Sequence, residues 1–357
     1  MDGGPIVWLA AAEGSADALG AGLARELTRR LPDVQLRGIA GPRMRAAGVA
    51  AVVRSEDVTT FGLVEAVPRA ARVAWAFTRA FRAIRRDAPA VLVTIDSPDL
   101  LLALARAARR GGVPAVHWVS PQVWAWRAGR VGRIAASTDT LLCLLPFEPA
   151  LYAGRVRAVF VGHPAAAIVP ARTPPRGSPR IALCPGSRIT EVERLWPVLR
   201  EVARRVRIRW PESELLVPVA PTVGRAHLPG LDATFVDDVA ALAGADGAVT
   251  ASGTATLELA ALGVPQVVVY RVHPATAAVA RVVVRSPYVA LPNVLAGRPL
   301  VPEHLQDLDP EQIFGDLCRV VGTREQVPRA IVDSLRGPES FGLVADEVMA
   351  WLTAPRG

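Results

Sequence analysis

Apolar and polar positions follow two alternating rhythms along the chain. Continuous apolar runs occur at Ile6–Ala10, Gln35–Ile39, Val91–Ile95, Ala115–Val119, Thr140–Leu144 and Val159–Val161. Between them lie stretches of helical spacing, such as 17–30 and 67–86. Runs without alternation suit parallel strands covered on both faces. Strand, turn, helix and strand repeated in this order predict a doubly wound α/β sheet. Periodicity then fades between Pro164 and Pro179, where Pro170, Pro174 and Pro175 also fall. Beyond it the same grammar restarts, with strands at Arg180–Cys184, Leu215–Val219, Gly247–Ala251 and Gln266–Val272 and helices at Glu191–Trp210 and Thr254–Leu262. The tail from Pro310 reads as helical. The expected organisation is a Rossmann-like domain over 1–165, a Pro-rich linker over 166–179, a second Rossmann-like domain over 180–335 and a C-terminal helix over 336–357. Two such halves predict a ligand-binding cleft between them.

Composition changes this picture little. The 357 residues exceed one typical core and suit two, and an apolar fraction of 51% against 21% charged is globular. The formal charge is +8 and every basic residue is Arg. A high-GC genome accounts for most of that bias, yet the excess charge also attracts phosphates or anionic lipids. Cys143, Cys184 and Cys318 are far apart and in apolar surroundings, so they read as buried thiols in a reducing compartment. No metal-ligand spacing such as C-x-x-C exists. Met1–Pro5 lacks the basic region of a signal peptide, and no run reaches the ~18 apolar residues of a spanning helix. The expectation is a cytoplasmic protein whose membrane contact is peripheral.

Candidate chemistry lies at strand ends. Pro185-Gly186-Ser187-Arg188 follows a strand and opens a helix, whose free N–H groups suit a phosphate, with Arg188 as a charged donor. The same segment reads equally as an ordinary capped turn. Ser252-Gly253-Thr254 follows another strand, and Glu258 lies one helical turn after Thr254, where its carboxylate could accept from ribose hydroxyls. Simple capping is the alternative there. Asp96 ends the Val91–Ile95 strand and is a candidate general base, with Asp99 expected to cap the next helix. Glu13 and Ser15 lie in the turn after the first strand, and Asp17 reads as a helix cap. That turn is no G-x-G-x-x-G fingerprint, so NAD is not inferred. His117 and His163 are ambiguous. Trp124, Trp126 and Arg127 suit sugar stacking or a headgroup interface, or else a core cluster with a solvated Arg face. In 67–86, Arg69, Arg72, Arg79, Arg82 and Arg86 recur at helical spacing around Trp75 and Phe77, as in a basic amphipathic helix on an anionic bilayer or an ordinary surface helix.

Taken in order, these pieces resemble the lipid-A-disaccharide synthases, glycosyltransferases of the GT-B fold. The matching stretches are Gly38–Met44, Phe61–Glu65, Ile95–Asp99, Val119–Arg127, Leu145–Glu148, Phe160–Pro164, Pro185–Arg188, Ser252–Glu258, Tyr270–Arg271 and Tyr288–Arg298. The resemblance implies inverting transfer of 2,3-diacylglucosamine from its UDP derivative to 2,3-diacylglucosamine 1-phosphate (lipid X). It implies catalysis by Asp96 with Glu13, a nucleotide side formed by Ser187, Arg188, Ser252, Gly253, Thr254, Glu258 and Asn293, and further substrate-binding positions at Ser15 and Arg271. The implied partners are the two acylated sugars and an anionic inner-membrane surface, with room for a homodimer. Nucleic acid, cofactor and metal are not expected. The rivals are another UDP-sugar-dependent GT-B enzyme and a catalytically decayed UDP-lipid-binding protein. Where the family's first turn carries two glycines this chain has Ala12 and Ala16, which would strain the turn if either needed φ > 0.

Overall fold

The computed structural model describes residues 4–58, 66–125, 128–168, 177–220, 223–274, 276–278, 284, 286–323 and 326–353. The chain forms two compact units, Met1–Pro164 with Glu339–Gly357, and Ala165–Pro338. The first holds a seven-stranded sheet in the order β3 (Ala50–Arg54), β2 (Gln35–Ala40), β1 (Ile6–Ala11), β4 (Val91–Ile95), β5 (Ala115–Trp118), β6 (Thr140–Cys143) and β7 (Arg157–Phe160). The second holds six strands in the order β10 (Thr234–Val236), β9 (Glu214–Pro218), β8 (Arg180–Cys184), β11 (Gly247–Ala251), β12 (Gln266–Tyr270) and β13 (Glu303–Leu305). Neighbouring strands pair in parallel throughout.

β10 and β13 carry no continuous apolar run, whereas β3 holds the short run Ala50–Val53, which falls outside the expected strands. All three are sheet edges. An edge strand has one neighbour and less cover, so its side chains stay largely outside the core: β3 buries only Val53, and β10 and β13 bury none fully. Interior strands β4 and β11 are buried at every position, which is why they are legible as runs.

The helices used below are α1 (Gly14–Arg30), α2 (Pro42–Ala46), α3 (Ala66–Asp87), α4 (Pro98–Arg110), α5 (Val131–Ala135), α6 (Ile189–Arg209) and α7 (Thr254–Leu262). The expected C-terminal helix is present at Ser340–Thr353. It belongs to the first unit, where Val344, Ala345 and Val348 join the core of Leu9, Val93 and Ile95, and Phe341 packs edge-on to Trp118 at 5.9 Å.

Two local expectations are corrected. Asp17 caps a helix, but not its own. The helix α1 begins at Gly14, and the Asp17 carboxylate, 2% exposed, accepts from Arg43 N at 2.8 Å and Met44 N at 3.1 Å, capping α2. A Cβ on Gly41 would lie 2.6 Å from Asp17 Oδ1, so the Gly-Pro-Arg-Met stretch keeps glycine there to admit this carboxylate. On α3 the apolar stripe faces inward. Ala76, Ala80, Ala83 and Ile84 are buried and Phe77 packs against their cluster, which takes Phe77 out of any lipid-facing surface. Trp75 stays 54% exposed with the Arg79 guanidinium 5.3 Å above its ring. Cys143 and Cys184 are buried as expected, while Cys318 is half-buried; all three are free thiols.

Candidate active site

In each sheet the strand order reverses once between interior strands, at β1/β4 in the first unit and β8/β11 in the second. Connections leave such a pair toward opposite faces, so the space beyond their carboxyl ends is left open for a ligand. The sequence puts its candidate chemistry at both points. Glu13 follows β1 and Asp96 follows β4, whose ends are in register at Ala11 and Ile95. Ser187 and Arg188 follow β8, and Ser252, Gly253 and Thr254 follow β11.

At the first point the backbone is strained. Asp96 has φ 53°, Ser97 φ 46° and Val119, at the end of the adjoining β5, φ 77°. Left-handed φ is tolerable for Asp and unfavourable for a β-branched Val, and three such residues together mark a place where geometry is held against preference. The hold is visible: Asp96 N donates to Trp118 O at 2.9 Å and Val119 N to Leu142 O at 3.1 Å. Ser97 begins α4, and its shielded Oγ has no partner. Glu13 is the half-buried N-cap residue of α1, and Ser15 is exposed in the first turn. No residue from 12 to 17 has positive φ, and Ala12 and Ala16 are both buried. The alanines therefore strain nothing. Asp99 does not cap α4; it forms an ion pair with Arg130.

Trp124 packs inward rather than toward solvent, edge-on to Phe147 at 5.7 Å. Beside it Glu148, 2% exposed, accepts from Leu144 N and Leu145 N at 3.0 Å each. Burial pushes this carboxyl up to about 7. The Trp124 indole N–H is directed at it and lowers it, without closing to a hydrogen bond. In the sequence Glu148 merely ends the Leu145–Glu148 stretch, with no local signal of its burial. Trp126, Arg127 and the Phe61–Glu65 stretch lie outside the described residues. His117 is a core histidine, with Nδ1 2.8 Å from Thr94 Oγ1, and burial lowers it to about 4. Burial lowers His163 to about 4 as well, so both imidazoles are neutral near pH 7.

At the second point, Gly186 turns the chain at φ 103°, and Ser187 and Arg188 are exposed at the start of α6, with Arg188 as its N-cap residue. Gly253 provides the N-cap backbone of α7 at φ 149°, Thr254 is exposed in its first turn, and Ser252 Oγ donates to Val289 O at 2.8 Å. Glu258 is half-buried, and burial, reinforced by the Asp238 carboxylate, raises it to about 7. Arg271 follows β12, its Nε donating to Gln306 O at 2.9 Å. Helix N-terminal N–H groups, hydroxyls and one guanidinium at one sheet end make an anion-binding arrangement.

Asn293 behaves differently from its expected place on the nucleotide side. It is 1% exposed, donates to Val301 O (2.9 Å) and Glu303 Oε1 (2.8 Å), and accepts from Leu300 N (2.7 Å) and Val301 N (2.9 Å). An amide has two donors and two acceptor sites, so none remains for a ligand. The Asn293→Ala change leaves three buried backbone groups unmatched and is expected to cost about 3 kcal/mol. A lowered urea midpoint with UDP affinity within twofold of wild type in the folded protein checks this; a large loss of affinity at unchanged midpoint contradicts it.

Comparison with known proteins agrees with this geometry. The solved structure of the calicheamicin glycosyltransferase CalG4 superposes with TM-score 0.63 at 19% identity, over 98% of this chain and 99% of that one. MurG of Acinetobacter baumannii gives 0.58 at 14%, over 97% and 99%. These are likenesses of fold, the GT-B arrangement of two parallel-sheet α/β domains. A lipid-A-disaccharide synthase of Anaeromyxobacter dehalogenans is 39% identical, with 96% of each chain covered. The profile of the lipid-A-disaccharide synthetase family matches residues 7–315, through both switch points and the strained Asp96 turn, and the chain therefore belongs to that family.

Proposed function

We propose that this chain transfers 2,3-diacylglucosamine from its UDP derivative to the 6-hydroxyl of lipid X, with inversion, giving the disaccharide 1-phosphate and UDP. The supporting observation is the division of chemistry between the switch points: a carboxylate in a strained turn on one sheet, and two helix N-termini with an Arg on the other. Asp96 takes the hydroxyl proton as the oxygen forms its bond to the anomeric carbon. The bond from that carbon to the diphosphate breaks, and UDP leaves with the electron pair. The α6 and α7 N-termini and Arg188 stabilise its growing charge without a divalent metal. Glu13 borders Asp96 at the same switch point and helps to seat the acceptor, and Glu258 receives the ribose hydroxyls. The exposed Trp75 and Arg79 face of α3 supports peripheral contact with an anionic bilayer. Among the described residues no helix is long and apolar enough to cross one.

The test is incubation of the purified chain with both acylated sugars in detergent and EDTA, followed by mass spectrometry. Disaccharide and UDP in equal amounts are expected. UDP formed without disaccharide would point to another acceptor, and no reaction with UDP still bound would point to a binding protein.

A pH dependence follows from Glu258. Ribose hydroxyls donate better to the ionised carboxylate, so binding favours the ionised form. UDP affinity should therefore rise as pH increases through about 7, where this group titrates in the free protein. Asp238→Asn removes a neighbouring negative charge and should move the midpoint lower. Glu258→Gln should flatten the profile, leaving only the titration of UDP itself. Calorimetric Kd values across pH 6 to 8 check the three together.

A further inference from the structure

A carboxylate already stands at the start of α6, where the proposal above puts the donor's diphosphate. Glu191 lies in the first turn of α6 and its Oε2 accepts from Ser187 N at 3.2 Å. Gly186 makes the approach feasible: a Cβ there would come within 2.7 Å of Glu191 Cδ, and its φ of 103° suits glycine. Glu191 is half-buried. The charged and titratable groups around it are Arg188 at the N-cap, Arg194 on the same helix and Tyr270 at the end of β12. Burial raises the Glu191 carboxyl, and the Ser187 N–H with the two arginines lowers it only in part. The Tyr270 hydroxyl is raised too, by burial first and by Glu191 next.

We infer that Glu191 is a placeholder anion: in the nucleotide-free protein its carboxylate occupies the Ser187 amide that receives the donor's diphosphate, and donor binding displaces or protonates it. This rests on reading the second unit as the UDP site. One N–H cannot serve two anions well, and a carboxylate beside a diphosphate is repelled by it. The device has two consequences. The empty site keeps Ser187 and Arg188 in their binding geometry without a ligand, and UDP binding through Glu191 takes up a proton, opposite in sign to the contribution of Glu258.

The competing explanation is a helix cap alone, since an acidic residue in the first turn commonly bonds back to the N-terminal backbone. Glu191→Gln separates them, because the amide oxygen still accepts from Ser187 N but carries no charge. The experiment is calorimetric titration with UDP at pH 7 in two buffers of different ionisation enthalpy, on wild type, Glu191→Gln and Glu191→Ala. The expected result is at least fivefold tighter binding by Glu191→Gln and a smaller net proton uptake than in wild type. Glu191→Ala should bind more tightly as well, despite a lower Tm from the lost cap. Unchanged or weaker binding by Glu191→Gln with an unchanged proton count would overturn the placeholder and leave a cap. Wild type that binds no UDP would overturn the donor-site reading itself and Glu191's role with it.

Discussion

Replacing Asp96 by Asn is expected to lower turnover by ~10³-fold, within the range set by loss of a positioned general base, and to leave the UDP Kd within twofold. Asn is close to Asp in size and shares its tolerance of left-handed φ, so the backbone at φ 53° and the bond from its N–H to Trp118 O should survive. What disappears is an atom able to take the acceptor's proton. The groups assigned to UDP all belong to the other compact unit, after β8 and β11, so nucleotide affinity should not follow turnover. Asp96→Ala is the informative companion. Alanine is strained at this φ, so it should lose stability as well as activity, whereas the Asn variant should lose activity alone. Stopped assays of disaccharide with calorimetric Kd and thermal midpoints for both variants decide the matter. A UDP Kd that rises in step with lost turnover would make Asp96 a structural residue of the turn.

Much of this architecture is legible in the sequence because interior parallel strands must be apolar on both faces. Burial at every position of β4 and β11 is the physical origin of the runs that were read. The same logic hides β10 and β13, whose backbones pair on one side only, and leaves β3, apolar over Ala50–Val53, largely outside the core. Nor does local pattern reveal where the terminal helix docks. Its stripe of Val344, Ala345 and Val348 calls for a partner, and only the tertiary structure supplies it, on the sheet formed by the opposite end of the chain.

The candidate site was legible to a different degree. Strand-end positions of Asp96, Ser187, Arg188, Ser252 and Thr254 follow from the run boundaries alone, and the strand order adds that they sit at two switch points. Side-chain partners do not follow from position. Asn293 looks like a ligand-side polar group in a linear reading, yet it is spent on the backbone of Leu300 and Val301, and Asp17, which reads as a cap, serves a helix distant in the chain rather than its own. Glu148 and Glu191 went the other way. Their spacing from Leu145 and Ser187 suited a local turn or cap, and what distinguishes them is burial, which sequence does not display. The strain at Val119 has no sequence signal either, since a β-branched residue is the one least expected at φ 77°.

Arg188→Ala is expected to reduce kcat/KM by about 10²–10³-fold, the scale of losing one charged donor to a developing anion, while weakening UDP binding by only about tenfold, the worth of one charge-assisted contact. The asymmetry is the point of the prediction. In the proposed donor complex the diphosphate already carries charge, part of which falls to Arg188, exposed at the N-cap of α6. As the glycosidic bond breaks, more charge arrives on the leaving oxygen, so the guanidinium interacts more strongly with the transition state than with the substrate. Lysine at 188 should recover part of the binding and less of the rate, because it restores a positive charge without the planar fork. Measured kcat, KM and UDP Kd for the three side chains distinguish the cases. Equal losses in rate and in binding would mean that Arg188 recognises the nucleotide without assisting its departure, and the leaving-group charge would then rest on the N–H groups of α6 and α7.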